Sequence, residues 1–270
     1  MSPDVGFHTF GLTMAENYER DFTPAISIPL AADLIEAAAP RPGEFVVDIA
    51  CGTGVVTRLA AHRVGPTGRV VGVDLSPEMV QFAASIPVQA EASVEWRVGN
   101  AEALPLADDS YDLTLCQLGL MFVGDRSSAI REMRRVLSPG GRVAINVPGP
   151  MPPLFEIMGD ALGHHIAPEL TGFVRSVFSM ADPDELEMLL RDNAFRDVTV
   201  TSITKTLRLP PPKQFLWQYI RSTPLAIPVA AAEDRRRMQL EDDVVARWQE
   251  FVDHGVLEFE LPIVTATALK

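Results

Sequence analysis

In the stretch VVDIACGTGVV, Val46 to Val56, an acid precedes two closely spaced glycines and no lysine follows them. Glycines in such a loop let backbone N–H groups come close to a ligand, and a helix starting near Val55 would aim its positive end at negative charge. A phosphate loop would finish in Gly-Lys-Ser/Thr, and this one does not. A dinucleotide loop would carry a third glycine, yet Gly54 is followed by Val55, Val56 and Thr57. Asp48 is an odd neighbour for a diphosphate and a sensible one for a cationic amino group. A second acid, Asp74, ends the next apolar run twenty residues beyond Gly54, where a carboxylate can accept hydrogen bonds from both hydroxyls of a ribose. Taken together, two acids around a glycine bend suit a small charged nucleoside better than a phosphate.

Those residues need a scaffold, and the pattern from Glu44 to Val147 supplies one. FVVDI, GRVVGVDL, SVEWRV, YDLTLCQL and GRVAINV are short runs rich in β-branched residues, separated by amphipathic stretches. The alternation predicts a parallel sheet with helices on both faces. RSSAIREMRRVL reads as a helix with Ala129, Ile130, Met133, Val136 and Leu137 on one stripe, stopped at SPGG before the fifth strand. SPEM starts another helix, with Ser76 as N-cap and Pro77 in the first turn. DPDELEMLLRDNAF starts a third with Asp182 as N-cap and Glu185 completing a capping box. DVTVTSI and VLEFELPIVTATAL alternate as half-exposed strands that would pair antiparallel at one sheet edge. Between them FLWQYI and DDVVARWQEF read as helices of an insertion.

The run VVDIACGTGVVTRLA resembles the first motif of the class I S-adenosylmethionine-dependent methyltransferases, VVGVDLSPEM their second, and REMRRVLSPGGRVAI their fifth-strand region. GNAEALPLADDSYDLTLCQ is similar to the stretch covering their third and fourth strands, and AENYERDF to the N-terminal segment of the small-molecule, ubiquinone/menaquinone-methyltransferase-like branch. The resemblance implies a doubly wound, mostly parallel seven-stranded α/β sheet of Rossmann-like type with helical lid insertions. It implies one domain over 1–270, with an N-terminal helical cap at 1–40, a cofactor-binding core at 44–147, and lid or substrate elements at 148–181 and 207–255. Its cofactor would be S-adenosyl-L-methionine. Asp48, Ala50, Gly52 and Gly54 would surround the methionine portion, Asp74 the ribose, and Leu75 and Met79 the adenine. Asn100 and Ala101 would meet the adenine edge, Gln117 would lie under the cofactor, and Tyr18 would close over it, its π-face toward the sulfonium. Ala50 stands where the family has a glycine, which demands an ordinary backbone conformation there. Asn100 stands where an aspartate is common, and its amide oxygen can still accept from an amino group.

The activity implied is methyl transfer to a small organic acceptor, with O-methylation expected. A cyclase or rearrangement enzyme on the same fold, a nicotinamide-dependent oxidoreductase and a non-catalytic binding module stay open. Met121, Phe122, Phe155, Phe173 and Trp217 suggest an apolar or aromatic acceptor. No catalytic residue is assigned. His164 and His165 are candidate general bases, although neighbours on a helix point in different directions, and His8, His62 and His254 have less in their favour.

The 270 residues, 47% hydrophobic and 22% charged, suffice for a sizeable core. A net charge of −13 repels phosphate backbones and anionic headgroups, so nucleic acid and membrane are poor partners, and a homodimer stays open. Acids interrupt the N-terminal stretch, which does not read as a signal peptide, and a cytoplasmic protein is expected. Cys51 and Cys116 read as reduced core residues and no metal site is expected.

Overall fold

Strands buried on both faces must be apolar along their whole length, and this requirement puts FVVDI, GRVVGVDL, YDLTLCQL and GRVAINV inside one sheet, with SVEWRV at its edge. The computed structural model describes residues 11–270. Strands β1 (Phe45–Ile49), β2 (Arg69–Asp74), β3 (Ser93–Val98), β4 (Tyr111–Gln117) and β5 (Leu137–Pro148) run parallel in the order β3-β2-β1-β4-β5. Successive residues serve opposite faces. Val46 and Val70 pack under α2 (Ile28–Ala38) and α3 (Val55–Val64), whereas Val47 and Val71 join the core shared with α5 (Arg126–Val136) and α8 (Pro183–Asp192). Strand order reverses between β1 and β4, which opens a crevice beyond their carboxyl ends.

The sheet is finished by two long strands, β6 (Arg196–Leu209) and β8 (Val256–Leu269), with β8 antiparallel to both β5 and β6. The β5 pairing uses only Ile263–Leu269 of β8, so the Glu258–Pro262 part projects past the sheet with β6 alone beside it. That projecting ribbon packs with α6 (Pro153–His165), α7 (Glu169–Val177), α9 (Pro212–Arg221), α10 (Ala226–Ala231) and α11 (Asp234–Arg247) around Leu207, Leu209, Leu257 and Phe259. Trp248 is fully buried there, and its indole N–H donates to the Leu154 carbonyl at 2.9 Å.

Three details depart from the sequence reading. The sheet has eight strands, because His254 and Gly255 (φ 45° and 84°) form a tight hairpin that pairs the two-residue β7 (Val252–Asp253) with the start of β8. The fifth strand begins at Leu137 and carries SPGG within it as an irregularity against β4. Asp182 caps α8 through the Asp184 N–H at 3.0 Å, but Glu185 does not close a capping box, since its carboxylate pairs with Arg126 at 2.7 Å. Ser76 caps α4 (Pro77–Ser85) as expected, accepting from the Met79 N–H at 3.2 Å.

The chain before β1 lies across the crevice as α1 (Leu12–Asn17), a wider π-type segment at Tyr18–Ser27, and α2. His8 falls outside the described residues. No helix among the described residues is long and apolar enough to cross a membrane.

Candidate functional site

Leaving β1, the chain bends so tightly that Ala50, Gly52 and Gly54 all take positive φ, at 56°, 54° and 88°. Ala50 therefore departs from the expectation of an ordinary conformation. The bend imposes the left-handed region on whatever residue stands there, at a cost of about 1–2 kcal/mol for one with a Cβ. Leu118, just after β4 across the switch point, is left-handed too, at 51°. Strained non-glycine residues of this sort gather at functional sites. A Cβ on Gly119 would fall 2.4 Å from the Ala50 Cβ, so the methyl group at 50 occupies space that glycine leaves free at 119. A Cβ on Gly54 would strike the Trp96 ring at 2.2 Å, whereas above Gly52 nothing lies within 4 Å.

Beyond this bend is a cavity of about 520 Å³, a size that suits a cofactor together with part of a second molecule. Of the residues singled out in the sequence, it brings together Tyr18, Ala50, Gly52, Asp74, Leu75, Met79, Asn100, Ala101 and Gln117. Asp48 and Gly54 do not line it. Asp48 points into the body of the protein, 1% exposed, and accepts from the Thr57 hydroxyl at 2.6 Å, so its carboxylate is not at the cavity surface. Gly54 is the N-cap of α3, beneath Trp96.

Asp74 holds the mouth of the cavity. Its Oδ2 accepts from the Gly52 N–H at 2.8 Å and its Oδ1 from the Ser76 N–H at 2.9 Å. Burial raises its carboxyl above the ordinary value, and those backbone N–H groups oppose the rise. Each carboxylate oxygen has a second lone pair for a ligand hydroxyl. Asn100 is partly engaged, since its Oδ1 accepts from the Glu102 N–H at 2.9 Å. Gln117 donates from Nε2 to the Ser27 carbonyl at 2.9 Å, while its Oε1 is buried without a partner among the described residues. Leu75 is half exposed at the rim, and Met79 is buried against Met14 and Ala15.

Tyr18 stacks on Phe22 with ring centroids 4.7 Å apart, and its hydroxyl lies 3.3 Å from Ser27 Oγ. Burial pushes its phenol up to about 12, so it keeps its proton. The next residue, Glu19, ties this segment to the glycine bend: its Oε2 accepts from the Thr53 hydroxyl at 2.5 Å and its Oε1 from Arg58 at 2.7 Å. Arg58 also donates to the Thr53 carbonyl at 2.6 Å.

The other end of the cavity is apolar, lined by Phe155, Phe173, Phe178, Tyr219, Phe259 and Leu261. Met121 and Phe122 line it as well, but Trp217 does not, its indole N–H being turned to Glu241 at 2.6 Å. Neither His164 nor His165 reaches it. His165 Nε2 lies 3.0 Å from Asp243, and the two histidine rings pack edge to face. The sequence reading missed Phe22, Ile26, Leu118, Phe178, Tyr219 and Phe259 among the lining residues. They sit in apolar stretches whose periodicity reports burial and not which neighbour they face.

A methyltransferase-domain family matches residues 47–145, the part of the chain that builds the glycine bend and β1 to β5. Over 184 residues the chain is 30% identical to the ubiquinone/menaquinone biosynthesis C-methyltransferase UbiE of Escherichia coli, covering 63% of this chain and 73% of that protein. The chain belongs to the class I S-adenosylmethionine-dependent methyltransferases, of small-molecule type, and its cofactor is S-adenosyl-L-methionine. The fold is shared with the YcgJ protein of Bacillus subtilis, 22% identical with a TM-score of 0.56 over 89% of this chain and 97% of that one. It is shared too with Haemonchus contortus phosphoethanolamine N-methyltransferase 2 in complex with S-adenosyl-L-methionine, 17% identical with a TM-score of 0.60 over 96% of this chain and 57% of that one.

Two outcomes follow from this geometry. Burial pushes the Asp48 carboxyl up to about 7, with Asp74 adding in the same direction, from an unfolded value near 3.8. Between those values the folded chain holds a proton that the unfolded chain releases, so the Asp48 contribution to stability is complete below the lower value and lost as pH rises through the higher one. Asp48→Asn should therefore gain stability relative to the parent between about pH 4.5 and pH 8, by on the order of 2–4 kcal/mol. Urea midpoints at the two pH values measure it, and parallel profiles would show that Asp48 ionises freely. Glu19→Ala removes both acceptors that fix Tyr18 and Phe22 against the bend. It should weaken S-adenosylhomocysteine binding about tenfold in calorimetry, or ~1.4 kcal/mol, with Glu19→Gln intermediate.

Proposed function

We propose that the protein transfers the methyl group of S-adenosylmethionine to an oxygen of an apolar, aromatic small molecule. One observation carries this reading: among the described residues, the only charged side chains lining the cavity are Asp74 and Glu102, both at the sheet end, and the opposite end is aromatic and aliphatic. A charged acceptor would lose its hydration there without gaining a partner, while a flat apolar one would exchange water for aromatic contact.

The cofactor, when bound, supplies an electrophilic methyl group on a sulfonium. In this reading Asp74 accepts from the ribose hydroxyls with its spare lone pairs, and Gly52 and Ala50 give the methionine portion its room. Leu75 and Met79 pack near the adenine, with Asn100 and Ala101 at its edge and Gln117 beneath the cofactor. Tyr18, kept protonated, covers the donor as part of the cap. Asp48 acts at one remove, by fixing Thr57 and the start of α3. The core at 44–147 holds the donor. The cap, with the helices inside 148–181 and 207–255, shapes the acceptor pocket and keeps water from the transfer. Alignment and exclusion of water are the main demands of such a displacement. No histidine or other evident base stands at the apolar end among the described residues, which suits an acceptor whose own hydroxyl ionises readily. Buried free thiols at Cys51 and Cys116 and an acidic chain fit a cytoplasmic setting.

Methylation at a ring carbon is the competing reading, favoured by the similarity to a C-methyltransferase. Incubation with donor carrying a ¹³C methyl group and a panel of phenols and hydroquinones separates the two by NMR: an oxygen-bound methyl resonance is expected, and a carbon-bound one would overturn the oxygen assignment. Product formed without label would overturn methyl transfer itself. Asp74→Ala should raise the Kd for S-adenosylmethionine about 10- to 100-fold, and an unchanged Kd would remove the ribose assignment.

A further inference from the structure

We propose that Tyr219 holds the acceptor by donating its phenolic O–H to an oxygen on an otherwise apolar aromatic molecule. The inference rests on the methyl-transfer reading above and narrows its substrate class. Tyr219 sits on α9, lines the apolar end of the cavity and is 4% exposed. Its ring is fixed among those of Phe22, Phe155 and Phe215, with centroids 6.1, 5.6 and 5.9 Å away. The other hydroxyls that line the cavity are already engaged. Thr223 donates to the Tyr219 carbonyl at 3.0 Å, Ser176 to the Phe173 carbonyl at 2.7 Å, and Tyr18 shares a hydrogen bond with Ser27 at 3.3 Å. Among the described residues the Tyr219 hydroxyl has no such partner. Buried polar groups are seldom left unpaired, so a hydroxyl in this position is matched to what enters the cavity.

The chemistry of that match follows from the surroundings. Burial, with Tyr18 nearby as a lesser cause, raises the Tyr219 phenol far above the neutral range. It therefore stays protonated and acts as a donor and not as a base. A donor wants an oxygen lone pair, as a phenol, phenolate or carbonyl provides. An ammonium group would need a carboxylate, and none of the described residues supplies one at this end of the cavity. One lone pair engaged by Tyr219 leaves the acceptor's other electron pairs available for methylation.

The test uses 1-naphthol and 1-methylnaphthalene, nearly equal in shape, titrated into protein saturated with S-adenosylhomocysteine. The parent protein should prefer 1-naphthol by about tenfold. Tyr219→Phe keeps the ring packing and should lose that preference while binding 1-methylnaphthalene and S-adenosylhomocysteine as the parent does. Thr223→Val, whose hydroxyl is engaged elsewhere, should keep the preference. Equal affinity for the two probes in the parent, no binding of either, or a preference that survives in Tyr219→Phe would overturn the assignment. Binding is read without turnover, so a failure of methyl transfer registers separately, as missing labelled product from protein that still discriminates between the probes.

Discussion

A single carboxylate keeps the ends of β1 and β2 in one arrangement. Asp74 joins the Gly52 N–H on one side to the Ser76 N–H on the other, and so couples the glycine bend to the start of α4. Other bonds brace the same ends, the Cys51 N–H donating to the Val73 carbonyl at 3.1 Å and the Gly54 N–H to the Cys51 carbonyl at 2.8 Å. The bend is left-handed at three positions out of five, and an isolated chain would leave that region readily. Because the carboxylate is partly buried, its hydrogen bonds are worth more than they would be in water, and its remaining lone pairs are the polar feature around which the sheet end of the cavity is organised.

The cavity is thus built by two parts of the fold under different physical rules. At the sheet end, strand register sets positions: Asp48 pairs with Gly72 and Ile49 with Val73, so the loops that follow must emerge side by side. At the far end, the β6–β8 ladder sets only Phe259 and Leu261, opposite Leu207 and Lys205, and the other lining residues come from helices. Helices α6, α7 and α9 and the projecting ribbon of β6 and β8 are held by mutual burial of aromatic rings, with Phe155 packed against Phe178, Tyr219 and Phe259 at 5.3–5.6 Å. Packing of this kind fixes volume and hydrophobicity while leaving shape adjustable by small changes of side chain. A constant donor and a variable acceptor call for such a division.

The same division explains what could be read from the sequence. The five parallel strands, the Ser76 cap and the acid at the end of β2 were legible because buried strands and capped helices leave period and punctuation in the chain. Asp48 was misplaced because an acid after a strand gives no sign of which way it turns, and here Thr57, nine residues on, draws it inward. Ala50 was misjudged since the backbone bend belongs to the loop and not to the residue. The Glu19 contacts with Thr53 and Arg58 span 34 and 39 positions, and no local pattern announces them. Tyr219 lies in an apolar helix whose stripe announces only that it is buried.

The methyl group of Ala50 and the bare Cα of Gly119 occupy one shared space across the switch point. The two sites consequently exclude one another's side chains. Alanine at 50 leaves no room for a side chain at 119, and a side chain at 119 would leave none for the methyl group at 50. While the crevice keeps its shape, at most one of the two positions carries a β-carbon, and enlarging either residue means shrinking the other.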